Sequence, residues 1–339
     1  MTVAELSGSL GELSGSLGEV GGPAGGIEAQ VPVLPSLSPS RAADFKTCPL
    51  LFRFRTIDRL PEQPTRDQAR GTLVHAVLER LFDLPATDRT HAAAADLVTP
   101  QWERLVEDAP PLAELFAEGE LETFLASAGE LLEGYFEVED PRRLEPAERE
   151  SLISAVVDDR LLIRGYVDRL DVSPAGDLRV VDYKTGGAPR EAFEARALFQ
   201  LKFYALVLWR TRGVVPRILR LLYLRDREIC DYAPDPEELV RFERTLLALW
   251  QAIDRATAER DFRPKPSRLC DWCSHQALCP AFGGTPPPFP EPGDETRGRA
   301  ISGPRSARLP AGGAGGVALI PQEDDRLTAG DEGETVRGG

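Results

Sequence analysis

The chain has 339 residues, 42% of them hydrophobic, and a net charge of −15. Its longest apolar run, Phe203 to Trp209, is far short of the roughly 18 residues a membrane span needs. There is no basic-then-apolar leader, and the five cysteines are an odd number, which argues against an exported, disulfide-built protein; a cytoplasmic location without membrane partners is expected. Only four basic residues are lysines (Lys46, Lys184, Lys202, Lys265), and none follows Gly, so a Walker A loop and a P-loop motor are excluded.

Residues 1–36 are low in complexity, with Glu-Leu-Ser-Gly-Ser-Leu-Gly at 5–11 and again at 12–18. Gly and Ser interrupt its apolar pattern, so a disordered arm is expected. A helix is predicted over 39–47, capped by Ser38 or Ser40, and an amphipathic helix over 70–83, with Leu73, Val77, Leu78 and Leu81 on one face. Residues 100–108, 112–118 and 120–138 read as further helices, acidic and Leu-rich. Segment 83–150 carries 18 acidic and 5 basic residues, whereas segment 37–82 carries 5 acidic and 8 basic. The acidity is thus concentrated; the region 83–147 is expected to be a helical insertion, and its charge to steer a polyanion away.

The period then changes. Residues 148–157, 160–170 and 178–183 are β-branched runs, the last two separated by the turn Ser-Pro-Ala-Gly-Asp. Helix is predicted over 190–211 and 235–260, with strands at 217–224 and 228–232. Residues 284–339 are rich in Pro and Gly and read as a disordered tail. The ordered core is therefore expected at 37–283. Its class is α/β, or α+β with a mixed central sheet flanked by helices.

Asp182-Tyr183-Lys184 ends an apolar strand. Strand alternation places Asp182 and Lys184 on one side and Tyr183 on the other. Asp168 lies near the end of the preceding strand, so pairing through the 173–177 turn brings two carboxylates together. Two carboxylates with water suit Mg²⁺ or Mn²⁺, and a nearby Lys can orient a water and offset charge on a phosphate. Asp-x-Lys alone is usually a strand-end ion pair. Two helical pairs at i, i+4 spacing accompany it, however: His75 with Glu79, and Gln200 with Tyr204.

In chain order these features are Leu37-Ser38-Pro39-Ser40, Cys48-Pro49, Gly71 with His75 and Glu79, Gly165-Tyr166-Val167-Asp168-Arg169, Val181-Asp182-Tyr183-Lys184-Thr185-Gly186, and Gln200 with Tyr204. The set resembles the RecB-type exonuclease branch of the PD-(D/E)XK nuclease superfamily, over about 37–283. The resemblance implies a restriction-endonuclease-like core. It implies His75, Asp168 and Asp182 as metal ligands together with the backbone carbonyl of Tyr183. Lys184 would assist the attacking water, and Gln200 and Tyr204 would line the site. Glu79 would support His75. Arg169 has two readings, a phosphate contact or an ion pair with Asp171. Glu150, on the strand before Asp168, is a weaker candidate for the same site.

Cys270-x2-Cys273-x5-Cys279 is a metal-ligand spacing that lacks a fourth ligand nearby; Cys48 is the candidate, with His275 as a substitute in a zinc site. Spacing leaves Zn²⁺ and [4Fe–4S] both open. The resemblance, to AddB-like nuclease domains, favours the iron–sulfur cluster as a staple between the two ends of the domain in the region 264–283. Trp272 is expected to pack over it, and Cys230 to be structural.

Three functions compete. The first is a metal-dependent DNA exonuclease acting on single-stranded or free ends in repair or recombination, either standing alone or borrowing a helicase from another chain. The second is a non-catalytic iron–sulfur DNA-binding or scaffold subunit of a helicase–nuclease complex. The third is a zinc-stapled protein of unrelated activity.

Overall fold

The computed structural model describes residues 34–188 and 194–290, and the side chains of 194–196 are not among them. The expected arm over 1–33, the tail beyond 290 and the start of the helix at 190–193 lie outside the described residues. Ser36–Leu37 forms strand β1 beside residues 162–163. Beyond residue 283, Pro287 accepts a hydrogen bond from Arg53, and Phe289 stacks on Phe262 at 6.1 Å.

Helix α1 (Pro39–Thr47) starts where Ser38 Oγ accepts from the Arg41 amide at 3.3 Å; Pro39 at the first turn fits because its missing N–H would have had no helical partner. A short turn, α2 (Pro49–Phe52), follows. α3 (Arg66–Leu81) starts four residues before the expected helix, because Thr65 and Gln68 form a reciprocal capping box. α4 (His91–Asp108) also begins upstream of its expected start and tolerates Pro100 inside it. The helix expected at 112–118 is instead a 3₁₀ turn, Pro110–Leu115, which begins with two prolines. α5 (Glu120–Val138) matches its predicted range. After the strands come α6 (Glu194–Arg212) and α7 (Pro236–Ala258).

The sheet is mixed. β2 (Glu148–Val157) and β3 (Leu161–Val172) are antiparallel, β4 (Leu178–Lys184) is antiparallel to β3, β5 (Ile218–Tyr223) is parallel to β4, and β6 (Glu228–Tyr232) is antiparallel to β5. β2 runs along one side of β3. On the other side β1 pairs at 162–163 and β4 from residue 169 onward, so residues 164–168 have no strand there. That opening lies next to the candidate site.

Two cores flank the sheet. α6 and α7 cover one face, where Leu201, Leu208 and Leu246 pack with Ile163, Val167 and Val180. α3, α4 and α5 cover the other, where Leu78, Trp102 and Leu132 pack with Val181, Tyr183 and Leu222. The acidic helical segment thus supplies two of the three helices of this layer, α4 and α5. Its fit is close: a Cβ on Gly134 would meet the Leu224 carbonyl oxygen at 1.9 Å. Alanine normally favours a helix over glycine by about 1 kcal/mol. Here Gly134→Ala is expected to destabilise the fold by about 1–3 kcal/mol through overpacking, read as a lower midpoint in urea.

Candidate active site

The registers arrange the acidic residues in a row. Arg149 pairs with Arg169 and Ser151 with Val167, which sets Glu150 opposite Asp168. On the other side Arg169 pairs with Val181, so Asp168 stands one step beyond, level with Asp182. Glu150, Asp168 and Asp182 therefore line up across β2, β3 and β4. The backbone departs from regular strand here. Glu150 has φ 42°, a left-handed conformation in mid-strand, and the Asp168 carboxylate accepts the Tyr183 amide at 2.8 Å, which a backbone carbonyl would do in a regular ladder. Strain of this kind in a non-glycine residue costs on the order of 1–3 kcal/mol, which the surrounding packing must offset.

His75 reaches this row from α3. Its Nε2 is 3.0 Å from the Tyr183 carbonyl oxygen, and its Nδ1 is 3.4 Å from Glu150 and 3.5 Å from Asp168. One ligand atom from each of His75, Glu150 and Asp168 falls within 4.8 Å of the others. The carboxylate oxygens suit Mg²⁺ or Mn²⁺, and the imidazole beside them tilts the set toward the softer Mn²⁺. Burial pulls the imidazole toward its neutral form, but Asp168 and Glu150 outweigh this and raise its pKa to about 9. Burial also lifts Asp168 above the ordinary carboxylate range; His75 opposes the rise, while Asp182 and Glu150 add to it. Negative charge is thus concentrated where a cation would sit.

Lys184 adjoins the row. Its Nζ is 2.5 Å from Asp182 and donates to Gln200 at 3.1 Å, and Gln200 Nε2 donates to the Tyr204 hydroxyl at 2.8 Å. Alternation acts as expected: Asp182 and Lys184 meet on one side while Tyr183 enters the α3–α5 core. Burial raises the Tyr204 hydroxyl pKa well above its ordinary value, so it stays protonated. Gly165 makes the approach of α6 possible, since a Cβ there would meet the Tyr204 ring at 2.7 Å.

Three sequence expectations change. Arg169 is fully buried and ion-paired with Glu139 at 2.6 Å and Asp171 at 3.1 Å, so the ion-pair reading holds and the phosphate reading falls. Glu79 contacts Arg80 and, through its carbonyl, Arg149; it is Glu150 that faces His75. Trp272 is 79% exposed and does not pack into the protein. Glu150 had a usable signal in the sequence. Asp158 and Asp159 both take left-handed φ, as a hairpin turn requires, and counting back from such a turn sets Glu150 against Asp168.

At the other end of the domain, Cys48, Cys270, Cys273 and Cys279 line one small cavity of about 50 Å³. Lys265 N donates to Cys48 Sγ at 3.4 Å and Ser267 N to Cys270 Sγ at 3.3 Å. Burial, with Cys270 and Cys48 nearby, raises the Cys273 thiol pKa. His275 also borders the cavity, but its Nε2 lies 2.9 Å from Glu62 and its ring packs edge-on to Phe54, so it is a poor replacement ligand. No helix among the described residues is long and apolar enough to cross a membrane.

The chain is similar to known proteins over most of its length. It is 26% identical over 288 residues to the Gene 69 protein of Mycobacterium phage D29, covering 74% of this chain and 98% of that protein. It is 29% identical over 127 residues to the Gene 69 protein of Mycobacterium phage L5, covering 37% of this chain and 41% of that one. A crystal structure of a candidate exonuclease from Eubacterium rectale superimposes with a TM-score of 0.47 at 12% identity, over 71% of this chain and 87% of that one. Residues 36–280 match the family model of the PD-(D/E)XK nuclease superfamily, a span that contains every residue of the site above. The chain belongs to the PD-(D/E)XK nuclease superfamily.

Proposed function

We propose that the protein is a metal-dependent deoxyribonuclease of the RecB exonuclease type, hydrolysing phosphodiester bonds from single-stranded or frayed ends in repair or recombination. The observation that carries this is the grouping of His75, Glu150 and Asp168 beside the Asp182–Lys184–Gln200 chain, in a member of a nuclease superfamily. His75, Asp168 and Glu150 would hold Mg²⁺ or Mn²⁺, with Asp182 and the Tyr183 carbonyl adjoining. The cation would supply Lewis acidity toward a phosphate oxygen. Lys184, held by Asp182 and Gln200, orients the attacking water and offsets the charge that grows on the phosphate. Gln200 is itself aligned by the protonated Tyr204 hydroxyl. The chain has no Walker A loop of its own, so unwinding of duplex would fall to a helicase partner in trans. The test is cleavage of end-labelled single- and double-stranded DNA in Mg²⁺, Mn²⁺ or EDTA. Shortening from an end that stops in EDTA is expected; an inert protein in both metals would overturn the reading.

The four cysteines would hold a [4Fe–4S] cluster, with Zn²⁺ as the alternative. What supports a shared metal or cluster is that all four line one cavity. The cluster's role is mechanical, tying the turn after α1 to the segment after α7. Cys273→Ser is expected to lose iron and acid-labile sulfide together and to lower the thermal midpoint. Retention of zinc in the wild type, with no iron after anaerobic purification, would favour the alternative.

A further inference from the structure

A groove of about 720 Å³ runs beside the candidate active site, through the opening on the edge of β3 where residues 164–168 lack a strand neighbour. Ser38, Ser40 and Arg41 from the start of α1 form one wall, Phe199, Gln200 and Tyr204 of α6 another, and Leu152, Arg164 and Tyr166 of the β2–β3 ribbon complete it. We propose that this groove seats a single DNA strand, with Arg41 and Arg164 on its phosphates and Tyr166 stacked against a base. The proposal rests on the nuclease reading and adds the path of the substrate to it.

Charge is the first argument. The chain carries −15 overall, yet the groove lining contains no Asp or Glu and two arginines. The Arg41 guanidinium donates to the Ser36 carbonyl and hydroxyl oxygens, and Arg164 makes no ion pair among the described residues. The two are close enough to disfavour each other: burial first, then Arg164 and Arg59, depress the Arg41 pKa. By contrast Arg169, Arg179, Arg210 and Arg220 each have a carboxylate partner. Crowded cations without counter-charges cost stability that a bound polyanion recovers.

Shape and apolar surface are the second argument. Tyr166 is 56% exposed, and Leu152, its register partner on β2, is 53% exposed. An exposed aromatic in a basic groove is a stacking platform for unpaired bases, which a duplex keeps stacked on one another. Arg164 and Tyr166 are two residues apart on one strand, so they point the same way about 7 Å apart. Asp168 follows after a second step of that size. A strand lying along this line runs from phosphate contact to base platform to metal ligand. Continuity is the third argument: Gln200, in the wall, accepts from Lys184 at 3.1 Å.

The test uses the full chain in EDTA, which prevents cleavage, and follows the anisotropy of a fluorescent oligothymidylate over a KCl series, beside a blunt hairpin of equal charge. The double variant Arg41→Ala/Arg164→Ala is expected to bind at least tenfold more weakly and to lower the slope of log K against log [KCl] by about 1.4, since each single-strand phosphate contact contributes about 0.7. Arg41→Lys/Arg164→Lys keeps the charge and should recover most of the slope, which separates lost contacts from lost folding. Tyr166→Ala should weaken oligothymidylate about tenfold with the slope unchanged, and Tyr166→Phe, which keeps the ring, should bind like the wild type. Arg104→Ala, at an exposed position of α4, is the control. The groove assignment is overturned if the arginine and tyrosine variants bind like the wild type, if the wild type does not bind the oligonucleotide, or if the hairpin binds equally well. Cleavage assays separate the two readings. Active wild type with silent groove variants removes the groove alone; shifted binding in a protein that never cleaves removes the nuclease reading alone.

Discussion

Lys184→Ala and Asp168→Asn are both expected to lose metal-dependent DNA cleavage, by on the order of 10²–10⁴-fold, the range that a positioned proton-handling group contributes. They should fail in different ways. Asp168 faces His75 and Glu150, so Asp168→Asn removes part of the donor set and should shift the Mg²⁺ or Mn²⁺ concentration needed for half-maximal activity. Lys184 touches Asp182 and Gln200, so Lys184→Ala should leave metal affinity nearly unchanged while the cleavage step collapses. Metal titration by calorimetry, beside single-turnover cleavage at saturating metal, distinguishes the two. Equal loss of metal affinity in both variants would contradict the division of roles drawn here. Glu150→Gln belongs with Asp168→Asn, because Glu150 completes the same donor group.

Arg169→Ala should destabilise the protein by about 3–5 kcal/mol, the cost of leaving buried carboxylates without their partner. Arg169 grips Glu139 with two nitrogens, at 2.6 and 2.8 Å, and also contacts Asp171 and the Tyr183 hydroxyl, the last at 3.0 Å. Glu139 terminates α5, so this cluster pins the helical layer to β3 and β4. Burial by itself would raise the Glu139 pKa, but the Arg169 guanidinium draws it below the ordinary carboxylate value. The sign of the pH dependence follows: the contribution is complete above the carboxylate pKa of the unfolded chain and is lost as pH falls through the lowered folded value. Urea midpoints measured from neutral pH downward should therefore fall in the wild type and vary less in Arg169→Ala. A midpoint unchanged by the substitution would mean that the cluster is compensated elsewhere. The activity of folded Arg169→Ala is a second check, since Arg169 lies in the core and touches no surface that DNA can reach.

Local order was legible because it depends on near neighbours. The strand ranges at 148–157 and 228–232 and the helix at 120–138 were read correctly from periodicity. Ser38 was named as a cap from its residue type and position. The convergence of Asp168 and Asp182 followed from one turn signal, and the opposed faces of Asp182 and Tyr183 from strand alternation. What failed needed partners distant in sequence. The 112–118 segment has helical composition, but two prolines at its start hold it as a 3₁₀ turn. Trp272 was expected over the cysteines because it lies between them in sequence, yet it is largely exposed. Arg169 left two readings open until α5 brought Glu139 to it.

By itself the sequence determined the mixed α/β class and the order of the elements, and it nominated the candidate site residues, because residue types and short spacings carry that information. Only the tertiary structure decided which of those residues meet. It set the Glu150 carboxylate 3.4 Å from the His75 ring of α3. It brought Cys48 to the same cavity as the three late cysteines, 222 positions or more away along the chain. It also left open the edge of β3, where Arg41 from one element and Arg164 from another stand together with no ion pair among the described residues. Such meetings depend on how helices and strands pack across the sheet, and no short-range pattern in a chain records them.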